Sequence, residues 1–99
     1  MIVEERENGK FILVLDDVFD FKRVEEFRAC YEGISLEKSK EVSIDFTHTR
    51  YMDSSALGML LNVKNYFKSS SATIKIVSVN EQIRKILTIS RFDQRFVIE

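Results

Sequence analysis

The chain has 99 residues, 44% of them hydrophobic and 11% aromatic, which suits one small domain with a modest core, and residues 1–99 are expected to form a single unit. Its 15 Lys and Arg nearly balance its 16 Asp and Glu, and no run of about five like charges occurs, which argues against a nucleic-acid partner. One cysteine, Cys30, excludes an internal disulfide. With a single histidine it cannot supply the roughly four ligands of a zinc site, and no apolar stretch nears the ~18 residues of a membrane span. Charges at Glu4, Glu5 and Arg6 stand where a signal peptide needs an apolar run, so a reducing, cytoplasmic setting is expected.

Taken in order, Ile2 to Glu5 and Phe11 to Leu15 flank Asn8-Gly9, a dipeptide that tolerates positive φ, and this predicts an opening β-hairpin. Phe21, Val24, Phe27 and Tyr31 then recur at helical spacing, with Asp20 able to cap the helix and Gly33 placed to end it. From Glu41 to Thr47 the alternation of Val42, Ile44 and Phe46 with Ser43 and Asp45 is that of a strand with one buried face. Ser54 to Lys68 reads as a second helix with Leu57, Leu60, Leu61, Val63 and Phe67 on its apolar face and Asp53 as the capping acceptor. Thr73 to Val79 is β-branched and strand-like, Asn80 can cap a third helix carrying Ile83, Ile86 and Leu87, and Phe96 to Ile98 adds a short last strand. This order gives an α/β fold: a mixed β-sheet with an N-terminal antiparallel hairpin, βαβ crossovers, and helices packed on the sheet. Most aromatics belong to the core by spacing, with Tyr51 and Phe92 as the expected exceptions.

Chemistry concentrates in the loop that enters the second helix. There Asp53, Ser54 and Ser55 meet the positive end of a helix dipole, whose unpaired N–H groups favour an anion by ~0.3–1 kcal/mol. Capping alone accounts for such residues, and position alone does not choose between the two hydroxyls. A hydrolase triad from His48, Asp53 and Ser54 is not supported: there is no Gly-x-Ser-x-Gly elbow, and the chain is too short to build a substrate pocket around them. Gly9, Gly33 and Gly58 are scattered, so no phosphate-cradling loop exists and no cofactor is expected.

Asp53-Ser54-Ser55-Ala56-Leu57-Gly58 resembles, position by position, the signature of the STAS domains of bacterial anti-sigma factor antagonists. The resemblance extends to the opening hairpin, Phe19-Asp20, Asp45-Phe46-Thr47 and the tail Ile83 to Ser90. It departs at Asn80, where many relatives have proline, and at Arg91, where many have glycine. It implies a non-enzymatic partner switch in which the unmodified domain binds an anti-sigma factor that is also a serine kinase. Phosphorylation of the matching serine, Ser54, ends that binding, and a metal-dependent serine phosphatase restores it. The surface expected to meet the partner comprises Asp20, Thr47, His48, Met52, Asp53, Ser54, Ser55, Ala56 and Gly58. Asp53 is expected to hold the loop and orient the Ser54 hydroxyl. Ala56 and Gly58 serve equally well for close approach by a partner or for tight packing of helix on sheet. Two other roles fit the same fold: an unphosphorylated subunit of a lipid-transport ATPase or signalling scaffold, and an antagonist with a non-sigma output.

Overall fold

Two residues with left-handed backbone open the computed structural model, which describes all 99 residues. Asn8 (φ 63°) and Gly9 (φ 75°) lie in a 3-10 turn, Glu7–Gly9, that folds β1 (Ile2–Arg6) back on β2 (Lys10–Val14) with Arg6 opposite Lys10. Glycine is required at position 9, because a Cβ there would sit 2.5 Å from the Lys38 carbonyl oxygen. The Gly9 carbonyl in turn accepts the Lys40 N–H at 2.8 Å, tying the hairpin to the segment entering the next strand.

Asp20 caps as expected, accepting the Lys22 N–H at 3.1 Å, but Phe21–Arg23 form a 3-10 turn before α1 (Val24–Glu32) begins. Phe21 is thereby rotated off the apolar stripe of Val24, Phe27 and Tyr31 and is 62% exposed, which corrects its expected place in the core. Gly33 follows the helix with φ −79°, so its left-handed freedom is not what ends α1. β4 (Glu41–Asp45) stops short of Thr47 because the Asp45 carboxylate draws the chain into a turn, accepting the Thr47 N–H at 2.9 Å and its hydroxyl at 2.6 Å. The second helix, α2 (Ser55–Tyr66), leads to β6 (Thr73–Val77), which ends at Ser78 with φ 62°. Asn80 caps α3 (Glu81–Ile89) through a 2.8 Å bond from the Ile83 N–H, and β7 (Val97–Ile98) closes the chain. Two further strands of two residues each, β3 (Val18–Phe19) and β5 (Tyr51–Met52), pair in parallel as a separate small sheet.

The main sheet has the order β1-β2-β4-β6-β7, antiparallel between β1 and β2 and parallel elsewhere. Each crossover from β2 onward steps one strand in the same direction, so right-handed connections place all three helices on one face. Register agrees with this: Phe11, Val42 and Ile74 align across the sheet, as do Leu13, Ile44 and Ile76, and all six are buried. Against this face the aromatic rings meet edge-on, Phe19 with Phe27 at 4.9 Å and with Phe46 at 5.9 Å. Truncating one such ring to alanine costs ~3–5 kcal/mol, comparable to the whole stability of a small domain. Phe92 belongs to this core at 5% exposure, against the expectation that it lies outside. No helix is long and apolar enough to cross a membrane.

Candidate functional site

The parallel strands β2, β4 and β6 point the same way, so the segments leaving them converge at one edge of the sheet. The segment after β4 is fastened there from both sides. Thr49, only 3% exposed, donates its hydroxyl to the Asp16 carbonyl at 2.7 Å. The N–H groups of Arg50 and Tyr51 donate to the Asp17 carbonyl at 2.8 and 3.4 Å, and the Asp53 N–H donates to Phe19 O at 3.4 Å. From the other side the Asn80 side-chain amide reaches the carbonyls of Thr49 and Arg50 at 3.4 and 3.5 Å. Nothing in the sequence singled out Thr49; a threonine whose partner lies 33 residues away gives no local signal.

This bracing delivers Asp53, Ser54 and Ser55 to the start of α2. Asp53 Oδ1 accepts the Ala56 N–H at 3.2 Å, which is the expected cap, and also the Ser55 hydroxyl at 2.5 Å. The Ser55 hydroxyl, helped by the backbone N–H groups of Ala56, Phe21 and Ser55, holds the Asp53 carboxyl below its ordinary range despite some desolvation. One expectation is corrected here: Asp53 orients Ser55, not Ser54.

Ser54 has helical dihedrals (φ −66°, ψ −24°), makes no side-chain cap, and leaves its exposed hydroxyl without a partner in the chain. The adjacent hydroxyls, equivalent by position, are therefore unequal in structure. A phosphate on Ser55 would face Asp53 at about 4 Å, a like-charge contact worth roughly 1 kcal/mol per charge pair in water and ~4 kcal/mol in a more protein-like dielectric. A phosphate on Ser54 leaves the cap intact.

The other expected surface residues divide. Thr47 and His48 are exposed, and Asp20 is half-buried at its cap. Met52, 4% exposed, and Ala56, fully buried, face inward and support the site from below, so neither offers a surface to a partner. For Ala56, helix-on-sheet packing is the explanation. Gly58 is the opposite: it is exposed, and a Cβ added there would meet nothing within 4 Å. Tyr51 is 54% exposed, as expected, and Phe21 joins it at the same edge.

The STAS domain family matches residues 1–99. A STAS-domain-containing protein of Pseudomonas aeruginosa (strain UCBPP-PA14) is 39% identical over 80 residues, covering 81% of this chain and 78% of that protein. Among solved structures, a candidate anti-sigma factor antagonist of Thermotoga maritima superposes with a TM-score of 0.80 at 19% identity, covering 97% of this chain and 82% of that one. The Bacillus cell fate determinant SpoIIAA in its phosphorylated form gives a TM-score of 0.71 at 18% identity, covering 98% of this chain and 88% of that one. At these identities the two structures establish a shared fold.

Proposed function

Since the chain belongs to the STAS domain family, we propose that it is an anti-sigma factor antagonist whose partner binding is switched off by phosphorylation of Ser54. In this reading it catalyses nothing itself. An anti-sigma factor with serine kinase activity binds the unmodified domain in the cytoplasm and transfers the γ-phosphoryl group of ATP to Ser54 Oγ. The hydroxyl proton leaves to solvent or a kinase base as ADP departs. A metal-dependent serine phosphatase hydrolyses the phosphoserine back to serine and inorganic phosphate.

The observation that carries the proposal is the contrast between the two hydroxyls: Ser54 free and exposed, Ser55 bound to Asp53 at 2.5 Å. In the free protein a phosphate on Ser54 stays in water and costs the fold little. Under a docked partner the same group, about −1.5 to −2 charges, is stripped of water beside an Asp53 carboxylate held ionised, which costs several kcal/mol. Each 1.4 kcal/mol is tenfold in affinity, so the switch spans about two to four orders of magnitude.

The test begins with in-cell crosslinking and mass spectrometry to identify the kinase partner, followed by phosphorylation with purified kinase and Mg-ATP. The modification is expected at Ser54, with affinity lost in the phosphorylated form and in Ser54→Asp and retained in Ser54→Ala. Modification of Ser55 in place of Ser54, or equal affinity of wild type and Ser54→Asp, overturns it. Recovery of a transporter ATPase in place of a kinase replaces it with the structural-subunit role.

A further inference from the structure

Of the eleven aromatic side chains only Phe21 and Tyr51 are exposed, at 62% and 54%, and both flank Ser54. We infer that these two rings are the apolar anchors by which the kinase partner grips this chain, an inference that rests on Ser54 being the residue it modifies.

Any enzyme that phosphorylates Ser54 brings its own groups to bonding distance of Ser54 Oγ, and a stable protein interface covers ~800 Å² on each side, a disc of roughly 16 Å radius. Tyr51 lies three residues from Ser54, at most about 10 Å along the chain. Phe21 is tied to the same point by backbone: the Asp53 N–H donates to the carbonyl of Phe19 at 3.4 Å, and Phe21 lies two residues beyond Phe19. Both rings therefore fall inside the footprint.

Their attitude is fixed by backbone. In the β3–β5 pair the inner row, Phe19 beside Met52, is buried, which turns the outer row, Val18 beside Tyr51, away from the core. Phe21 is turned out by the Asp20-capped 3-10 turn. Neither ring is needed to fill the core, and each has only two side-chain torsions to fix, so less freedom is lost on docking than for a long flexible side chain. Exposed aromatics drawn into the centre of a contact are among the residue types that carry most binding energy. Gly58, one helical turn beyond Ser54 on the same face of α2, leaves open space beside them for close approach.

The experiment measures kinase affinity and Ser54 phosphorylation kinetics for Phe21→Ala, Tyr51→Ala, Ser54→Asp and, as a control, Ile89→Ala. Ile89 is more exposed than either ring, at 74%, but stands at the far end of α3, roughly 13 Å along the helix from the cap at Asn80. Each ring variant is expected to bind ten- to a hundredfold more weakly and to raise KM with kcat unchanged, while melting within about 2 °C of wild type; Ile89→Ala matches wild type. Unchanged affinity in both ring variants, or an equal loss in Ile89→Ala, overturns the anchors. If Ser54→Asp abolishes binding while the ring variants retain it, only the anchor assignment fails; if Ser54→Asp binds normally, the switch itself fails.

Discussion

Thr49→Val tests how the site is held. Valine nearly matches threonine in shape but has no hydroxyl, so the substitution deletes the 2.7 Å bond to the Asp16 carbonyl in a place only 3% exposed. Losing one partner of a buried bond costs ~1–3 kcal/mol, since the remaining acceptor is left without water. In a domain of this size each kcal/mol lowers Tm by about 4–8 °C, so a drop of at least ~4 °C is expected. The adjoining peptide should loosen too: the amides of Arg50 and Tyr51, which donate to Asp17 O, are expected to exchange hydrogen faster than those of β4. Thermal unfolding followed by circular dichroism and amide exchange followed by NMR supply the two readouts. Thr49→Ser, which keeps the donor, should restore most of both. A Tm within 1 °C of wild type together with unaltered exchange at positions 50 and 51 would show that the loop does not depend on this bond.

Asp53→Asn should destabilise the domain in a pH-dependent way. Folding lowers the Asp53 carboxyl below its ordinary 3.8, so its contribution is complete above about that pH and is lost as pH falls through the folded value. The gap between wild type and variant, measured by urea unfolding, should therefore be constant above pH ~5 and close in more acid solution. Gly58→Ala should raise stability by about 1 kcal/mol, because an exposed helical glycine is replaced by the best helix former in open space, yet weaken partner binding; calorimetry and an affinity measurement on one preparation check the opposed signs. Arg91, at φ 61° beyond α3, holds a left-handed conformation that costs a side-chain-bearing residue ~1–2 kcal/mol. Arg91→Gly is expected to gain roughly 0.5–1 kcal/mol net of the extra freedom of glycine when unfolded, read as a raised Tm.

What the sequence discloses here is what short-range chemistry encodes. Asn8-Gly9 announces its turn, Asn80 its cap, and the alternation of Val42 and Ile44 its strand, because each signal lies within a few residues of its effect. The β3–β5 pair is invisible in that way: two residues per strand show no period, and the partners are 33 apart, as Val18 with Tyr51. Phe21 misleads because its three-residue spacing from Val24 imitates a helical face, while the Asp20 cap diverts Phe21–Arg23 into a tighter turn. Phe92 reads as an outlier, yet the left-handed Arg91 reverses the chain and returns the ring to the core beside Phe96, 5.6 Å between centroids. At the site, position at the helix start gives both serines equal standing and the motif resemblance points to Ser54; the path of the Asp53 carboxylate to Ser55 separates them in structure.

The carbonyls that brace positions 49 to 51 come from the segment that follows β2, and the supporting amide comes from the cap of α3. Three stretches far apart in the chain must therefore arrive before the serine is displayed as it is in the folded domain. A synthetic peptide copying residues 45–58 would carry every letter of the motif and none of its scaffolding, so it should be a poor competitor and a poor kinase substrate. Under the proposed switch, a partner reading this surface would read a folded object, and chains that have not finished folding would be silent to it.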